Sequence, residues 1–536
     1  MLLSSGAEFR RGARLQFAVV ESAEAFYLRT ISPRRGSIAM QFTLLEYQEA
    51  LPRRVGAYLI KDGWNDHGYV TTFDLHIRLA DMTRRRIGYL RIAHVSMSRD
   101  GLVNTAEILP GRFTSLERGF FSLGHEDDYY VSLLELPPGM GREILIALHD
   151  VAFGWDTDIR SLRSLEVFNK SVLRGRSEDQ LRNANRIAHG LRARVVPFRW
   201  TYTLGGEGLL PAHEFTFDAE PGSRPPTNLH AVIGRNGAGK STLLHRIAVD
   251  AMAGRITVES DGDDDNSFNG CVVVSFSPFD RPYGPMPRGA LSFQYIGLYH
   301  HEEERLKTRD ERRKEFVDSF ATVRIGSRGM RWRKAIETLN YAASGFLDDH
   351  LMVLDAMMRE GSSHKFEARV GKVFDSLSSG HAVVLLMMTR LIEVVGERTL
   401  VLIDEPETHL HPPLLAALTS ALSTLLADRN GMAVVATHSP VVLQEVPASC
   451  VWKMIRHGDE LTAHRPGLET YGESVGELTY DVFGLEVTST GFHAAIAAEV
   501  EKGGSYEEIT QRFSGLGAEA RALLRAMTFA RTRGDR

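Results

Sequence analysis

Short apolar runs recur along the middle of the chain, and each is followed by a small or polar residue. They are 229–233, 272–276, 400–403 and 433–437. Runs of this length are typical of strands buried on both faces of a parallel sheet. Longer segments of helical character, such as 242–252 and 414–426, lie between them. The alternation predicts an α/β fold built around a parallel sheet.

The regions that flank these runs have other patterns. Between 41 and 190, the segments 70–79 and 87–95 alternate like strands and are joined by an arginine-rich turn at 83–86, and helical segments follow. A highly charged and mostly helical stretch, 301–367, interrupts the central α/β pattern. We therefore predict four parts: a disordered tail at 1–39, an N-terminal α+β domain at 40–191, a central α/β domain at 192–490 with a helical insertion at about 301–367, and a C-terminal helical segment at 491–536.

Composition narrows the class of protein. The chain has 536 residues, 43% of them hydrophobic and 24% charged, which is typical of globular proteins. The two cysteines, Cys271 and Cys450, exclude a disulfide scaffold and fit a reducing cytoplasm. No apolar run is long enough to span a bilayer, so we predict no membrane partner. The tail lacks the apolar stretch of a secretory signal, and the domain-like pattern begins near Met40.

The strand at 229–233 runs into a glycine-rich loop that fits the pattern G-x-x-x-x-G-K-[ST], and a helix follows it. Glycines let backbone N–H groups turn towards phosphate oxygens, and the helix adds its positive dipole end. Lys240 is predicted to reach the β- and γ-phosphates and Ser241 to bind Mg²⁺. The residues predicted to hold the nucleotide are Gly234, Arg235, Asn236, Gly237, Ala238, Gly239, Lys240, Ser241 and Thr242.

Two carboxylates, Asp404 and Glu405, follow the apolar run at 400–403. Downstream of a phosphate-binding loop, this arrangement predicts that Asp404 holds Mg²⁺ and that Glu405 is the general base for water. Taken alone, the pair would equally suit a strand that ends in an acidic loop.

Two further elements carry potential chemistry. The segment 377–381, Leu-Ser-Ser-Gly-His, precedes an apolar helix, so its free N–H groups can form a second anion site or simply an ordinary helix cap. His438 follows the strand at 433–437, where an imidazole can reach a γ-phosphate. A lone histidine there would more often be structural.

Together these elements resemble the ABC-type ATPases, in the order that family uses. The segment 377–381 is similar to the family's signature, with Ser379 where the first glycine usually stands and His381 where glutamine is usual. His438 matches the family's switch histidine. The resemblance implies that two heads sandwich ATP and Mg²⁺, with Ser378, Ser379 and Gly380 acting on the nucleotide of the partner head.

The run 404–412, Asp-Glu-Pro-Glu-Thr-His-Leu-His-Pro, resembles the soluble SMC/RecF/OLD-like branch of that family. His409 and His411 fit this branch and are better explained as helix-start residues than as metal ligands. No glutamine ends the run at 272–276, where the family often has one, so Ser277, Asp280 or the backbone is expected to replace it. More loosely, the architecture is similar to stand-alone ATPases of bacterial antiphage systems such as the Septu ATPase.

That resemblance implies a homodimer, or a higher even oligomer, that controls an effector protein such as a nuclease or toxin encoded nearby. The alternatives are a DNA-repair or chromosome-maintenance ATPase, a transporter's ATP-binding subunit, or an intrinsic nuclease. A basic cluster beside Trp332 can contact nucleic acid or can be a solvated helix face. The cluster comprises Arg324, Arg328, Arg331, Arg333 and Lys334.

Overall fold

The fold is that of a computed structural model, which describes most of the chain after the first 39 residues. The described residues are 40–46, 49–62, 68–99, 101–154, 162–173, 178–191, 195–205, 212–260, 267–277, 291–300, 303, 305–324, 327–341, 350–358, 364–457, 460–489 and 491–534. The predicted tail at 1–39 lies outside them, as do Asp280 and part of the predicted insertion.

The N-terminal part forms a six-stranded sheet with the order β5-β1-β2-β3-β4-β6. Its strands enclose one core with the helices that follow, and Phe73, Leu75 and Tyr130 are among the fully buried residues. The elements are β1 (Phe42–Leu45), β2 (Gly56–Lys61), β3 (Thr72–Arg78), β4 (Arg84–His94), β5 (Arg112–Phe113), β6 (Phe120–Gly124), α1 (Asp127–Leu134), α2 (Met140–Ala147), a π-helix (Phe168–Leu173) and α3 (Glu178–Ala188).

A seven-stranded sheet with the order β12-β11-β15-β16-β9-β17-β18 forms the centre of the remaining chain. All neighbouring pairs are parallel except β17 and β18. The strands are β9 (Leu229–Gly234), β11 (Gly270–Ser275), β12 (Ser292–Gly297), β15 (Thr399–Asp404), β16 (Met432–Thr437), β17 (Val451–His457) and β18 (Glu460–His464). Every residue of β9, β11, β15 and β16 is buried, which explains why apolar residues predominate in them.

The two faces of this sheet pack against different layers. One face meets α4 (Lys240–Met252) and a small antiparallel sheet, and Trp200, Leu243 and Leu402 share that core. The other face is covered by helices and buries Val401 and Ile403. The small sheet has the order β10-β7-β8 and consists of β7 (Phe198–Leu204), β8 (His213–Ala219) and β10 (Val258–Ser260).

The helical layer contains the predicted insertion, and a two-stranded hairpin precedes it. Trp332 is fully buried within this layer, where its indole N–H donates to the hydroxyl of Thr389 in the helix 379–394. The elements are β13 (Tyr299–His300), β14 (Arg305–Leu306), α5 (Arg309–Val323), α6 (Ser327–Leu339), α7 (Leu351–Met357), α8 (His364–Ser376), α9 (Ser379–Val394), α10 (Pro412–Asp428) and α11 (Pro440–Leu443).

The C-terminal part is helical. Ile496, Ile509 and Leu524 belong to a small core of its own. Its helices are α12 (Val475–Ser489), α13 (Gly491–Glu501), α14 (Tyr506–Gln511) and α15 (Ala518–Gly534). Among the described residues, no helix is both long enough and apolar enough to cross a membrane.

The predicted arginine-rich turn at 83–86 is wrong in detail. The chain reverses at 79–83, and the three arginines begin β4, with Arg84 opposite Arg78. Arg86 is held in the strand because its Nε–H is shared between the two carboxylate oxygens of Asp74 on β3, at 3.0 and 2.9 Å. The strands β12, β17 and β18 were not predicted, since polar residues such as Lys453 interrupt their apolar pattern.

The basic cluster is not a solvated helix face. Arg324 is buried over the ring of Phe366, and Arg333 pairs with Asp355 at 2.9 Å. Arg328 and Arg331 instead reach the N-terminal part of the chain, where they pair with Glu126 and Asp128. Four of the five cations therefore hold the protein's own elements together, which weakens the nucleic-acid interpretation of this cluster.

Candidate nucleotide site

The glycine-rich loop leaves the sheet at the carboxyl end of β9. A Cβ at Gly234 would lie 2.2 Å from the carbonyl oxygen of Met454 on β17, so no larger residue fits there. Gly237 and Gly239 have φ angles of +80° and +99°, a region that glycine adopts without strain. The sequence prediction of strand, loop and helix is confirmed, and α4 begins at Lys240.

Lys240 points back into the loop. Its Nζ donates to the carbonyl oxygens of Gly234 and Arg235, at 3.0 and 3.2 Å, and the residue is 4% exposed. Burial lowers the pKa of Lys240, while the negative charges of nearby carboxylates act in the opposite direction. Those carboxylates belong to Asp404, Glu405 and Glu407, so the lysine and the acidic strand end lie in one electrostatic field.

The strand register brings the predicted residues to one edge of the sheet. Asp404 is buried at the end of β15, and its Cα pairs with Ser275 on β11 and Ala436 on β16. Ser241 is exposed in the first turn of α4. A carboxylate and a hydroxyl are the hard oxygen donors that Mg²⁺ prefers, so these two side chains fit the predicted metal. Ser275 at this edge was not predicted, and Ser277, which was, lies two residues beyond it.

Glu405 has an unusual backbone. Its φ and ψ angles are +44° and +59°, in the left-handed region that non-glycine residues rarely adopt. The conformation is held because the Glu405 N–H donates to the carbonyl oxygen of Ala436, at 2.9 Å. The chain thereby turns sharply off β15, and the side chain stays one-third exposed at the sheet edge. Strain of this kind concentrates at functional sites.

His438 lies where β16 ends, between two carboxylates. Its Nδ1 is 3.8 Å from Glu405 Oε1 and 3.1 Å from Glu407 Oε1. The same oxygen of Glu407 accepts the His438 backbone N–H and the Thr437 hydroxyl, each at 2.7 Å. Sequence reasoning singled out His438 but missed Glu407. The only available signal was the second acidic residue of the run Asp-Glu-Pro-Glu.

The signature-like segment begins α9. The Ser378 hydroxyl caps the helix by accepting the His381 N–H at 3.3 Å, and both Ser378 and Ser379 are exposed. A Cβ at Gly380 would lie 2.5 Å from the carbonyl oxygen of His409, so the segment packs tightly against the turn that follows Glu405. This contact connects the signature-like helix with the acidic strand end in the same chain.

The two histidines of the acidic run have structural positions. His411 caps α10, and its Nδ1 accepts the Leu414 N–H at 3.2 Å, as the helix-start interpretation predicted. His409 ends the short 3₁₀ helix Pro406–His409. In the part of the chain that the structure describes, no group of three or more His, Cys, Asp or Glu side chains is arranged to hold a metal ion.

A cavity of about 150 Å³ opens beside the glycine-rich loop, between the small sheet and β17. It is bounded by loop residues and by side chains that the sequence did not single out. A hydrophobic and cationic lining next to a phosphate loop suits the remainder of a nucleotide. The lining residues that lie outside the loop include His213, Arg246, Met454 and Arg456.

The sheet order and the residues gathered at its edge define an ABC-type P-loop ATPase fold. Residues 266–444 match the family model described as "AAA domain, putative AbiEii toxin, Type IV TA system". Protein ea59 of Escherichia phage lambda is 35% identical over 538 residues, which span 92% of this chain and 99% of the phage protein. The chain belongs to the same family as protein ea59.

Solved structures similar to this chain include ATP-binding cassettes. A nucleotide-free cassette from an ABC transporter is 15% identical, with 54% of this chain and 95% of that chain covered and a TM-score of 0.28. A bacterial Atm1-family ABC exporter with ATP bound is 13% identical, with 60% and 43% covered and a TM-score of 0.28. At such scores the likenesses carry no argument about function.

Proposed function

We propose that this protein binds and hydrolyses ATP, with the glycine-rich loop as the phosphate site. The observation that carries the proposal is the convergence of Lys240, Asp404, Glu405 and His438 at one edge of the parallel sheet. Ligands bind at the carboxyl ends of the strands in such sheets. Backbone N–H groups of the loop and the Lys240 ammonium would neutralise the phosphates, as in other P-loop proteins.

Each remaining group has a role that suits its position. Glu405 is one-third exposed, so it can accept a proton from an attacking water. His438 stands beside it with a ring nitrogen available to hydrogen-bond a phosphate oxygen. Ser241 and Asp404 would hold Mg²⁺, which would polarise the phosphoryl oxygens when bound. The cavity beside the loop would hold the nucleoside.

We infer that the active form is a pair of heads. Ser378 and Ser379 are exposed at the start of α9, where their helix N-terminus can face an anion on another molecule. The contact between Gly380 and His409 would connect that surface with the acidic strand end of its own head. ATP would then stabilise the dimer, and hydrolysis by Glu405 would release it.

The Glu405→Gln variant tests both the role of Glu405 as general base and the ATP-dependent dimer. It should reduce ATP turnover by about 10²-fold or more, because the general base is lost, while ATP binding remains. Light scattering with ATP and Mg²⁺ should then show a long-lived dimer, which disappears when Ser379→Arg is added. Wild-type turnover in Glu405→Gln would refute the role of Glu405. A variant that stays monomeric with ATP would refute the dimer.

The biological role that we propose is control of an effector protein, such as a nuclease or toxin, in antiphage defence. Two observations support this proposal: the family model's description reads "putative AbiEii toxin, Type IV TA system", and the relative protein ea59 comes from a phage. Expression in bacteria with and without the neighbouring genes, followed by phage plating, tests this role. Equal plating in every combination would reject the defence role.

Stimulation of ATP turnover by DNA would instead favour a role in DNA repair or chromosome maintenance.

A further inference from the structure

One carboxylate beside the proposed site has no role in the mechanism given above. Glu407 lies in the 3₁₀ helix Pro406–His409, two residues after the general base, and its side chain is only 9% exposed. Burying a carboxylate is costly unless it is well hydrogen-bonded. Its position therefore calls for an explanation in terms of what the carboxylate holds.

The contacts of Glu407 converge on the end of β16. Its Oε1 accepts the Thr437 hydroxyl and the His438 backbone N–H, each at 2.7 Å, and lies 3.1 Å from His438 Nδ1. The Ser439 N–H in turn donates to the Thr437 hydroxyl at 2.9 Å. A single oxygen thus holds the His438 backbone by a hydrogen bond and lies within ion-pair distance of its ring. The other oxygen, Oε2, is buried and accepts no hydrogen bond from the described residues.

The geometry selects among the states that His438 can adopt. A ring whose Nδ1–H is donated to Glu407 has its Nε2 directed away from that carboxylate. The alternative partner of Nδ1 is Glu405 Oε1, at 3.8 Å. Because the contact with Glu407 is shorter, the ring leaves the Glu405 carboxylate able to accept a hydrogen bond from water. The same arrangement orients the imidazole in hydrolase triads, where a buried carboxylate fixes ring and tautomer.

We propose that Glu407 is the positioning residue of the site: it fixes His438 through Nδ1 so that Nε2 faces the γ-phosphate and Glu405 remains available to water. The inference rests on the proposed ATPase function. Glu407 touches neither substrate nor reacting atoms, so its effect passes through His438. Removing its charge should therefore alter the chemical step and leave nucleotide binding nearly unchanged.

The test is a double-mutant cycle on the full chain with Glu407→Gln and His438→Ala. Glutamine keeps the shape and an acceptor oxygen but removes the charge. We expect Glu407→Gln to reduce kcat by about 10- to 100-fold, the range typical of groups that orient an active-site ligand. The KM for ATP should change less than about threefold, and Glu407→Gln should cause no further loss in the His438→Ala background.

A matched control is Glu445→Gln, which neutralises another half-buried carboxyl seven residues after His438 and should keep wild-type kcat. Full additivity of the two variants would overturn the inference, because it would mean that Glu407 acts independently of His438. Unchanged kcat in Glu407→Gln would overturn it as well. Absence of ATP turnover in the wild-type chain would instead reject the proposed function, and the inference with it.

Discussion

At the residue scale, the site depends on a few side chains that the sheet edge brings together from distant positions. Lys240, Asp404 and His438 come from separate crossovers, yet strand pairing places them together. Glu405 shows how backbone and chemistry are coupled. Its left-handed conformation turns the side chain away from β15, whereas an extended residue there would continue the buried strand.

The conformation of Glu405 leads to a stability prediction. Glycine adopts the left-handed region more easily than alanine, by roughly 1 kcal/mol. Glu405→Gly should therefore be more stable than Glu405→Ala by about that amount in urea denaturation, although both variants lack the carboxylate that we propose as the base. At Glu337, exposed in the last turn of α6, the order should reverse because glycine is the poorer helix former. The same order at both positions would show that residue 405 carries no strain.

At the element scale, the position of the phosphate loop depends on the close pairing of β9 with β17. Gly234 is paired with Met454, and the missing side chain lets the two backbones approach where the loop begins. The sequence motif already required a glycine at this position for phosphate binding. The structure adds a second requirement, which comes from a strand more than two hundred residues downstream.

Gly234→Ala should test that second requirement. The added methyl group would meet the Met454 carbonyl oxygen, and overpacking of this kind costs about 1–3 kcal/mol. The midpoint temperature of thermal unfolding and the affinity for the nucleotide should both decrease. Gly484→Ala is the matched control, since its Cβ would meet nothing within 4 Å in α12, and its stability should be unchanged or slightly higher. Equal stability of the two variants would contradict the steric argument.

At the scale of the whole molecule, a buried ion network joins the N-terminal sheet to the ATPase fold. Asp128, at the start of α1, pairs with Arg331 on α6 and receives both terminal nitrogens of Arg429 at 3.2 Å. Arg429 directly follows α10, the helix that begins just after the acidic run. Burial alone would raise the pKa of Asp128, but Arg429 and Arg331 more than offset it and hold that pKa well below its usual range.

Asp128→Asn should reduce the free energy of unfolding by about 3–5 kcal/mol at neutral pH, because it removes the carboxylate that faces the buried Arg429 and the largely buried Arg331. The depressed pKa means that this contribution is complete above the unfolded-state value near 3.8 and is lost as the pH falls towards the folded-state value. The gap between wild type and variant should therefore narrow below about pH 4. Urea denaturation of both proteins at a series of pH values measures this difference in the free energy of unfolding.

A suitable control is Asp310→Asn, which removes one of the two carboxylate partners of Arg313 in an exposed pair and should change stability by less than about 0.5 kcal/mol. A constant gap between wild type and Asp128→Asn down to pH 2 would contradict the assignment of the network to the ionised carboxylate.

The sequence by itself determined the class of fold and the chemistry of the loop. Buried parallel strands are mostly apolar, and a phosphate loop needs glycines and a lysine in fixed order. Both features therefore depend only on residues that are close together in the sequence. The tertiary structure alone decided the rest. Glu407 reaches His438 across about thirty residues, Gly234 meets Met454, and the basic cluster pairs with Glu126 and Asp128. Such contacts depend on which elements become neighbours, and no local pattern of residues records that.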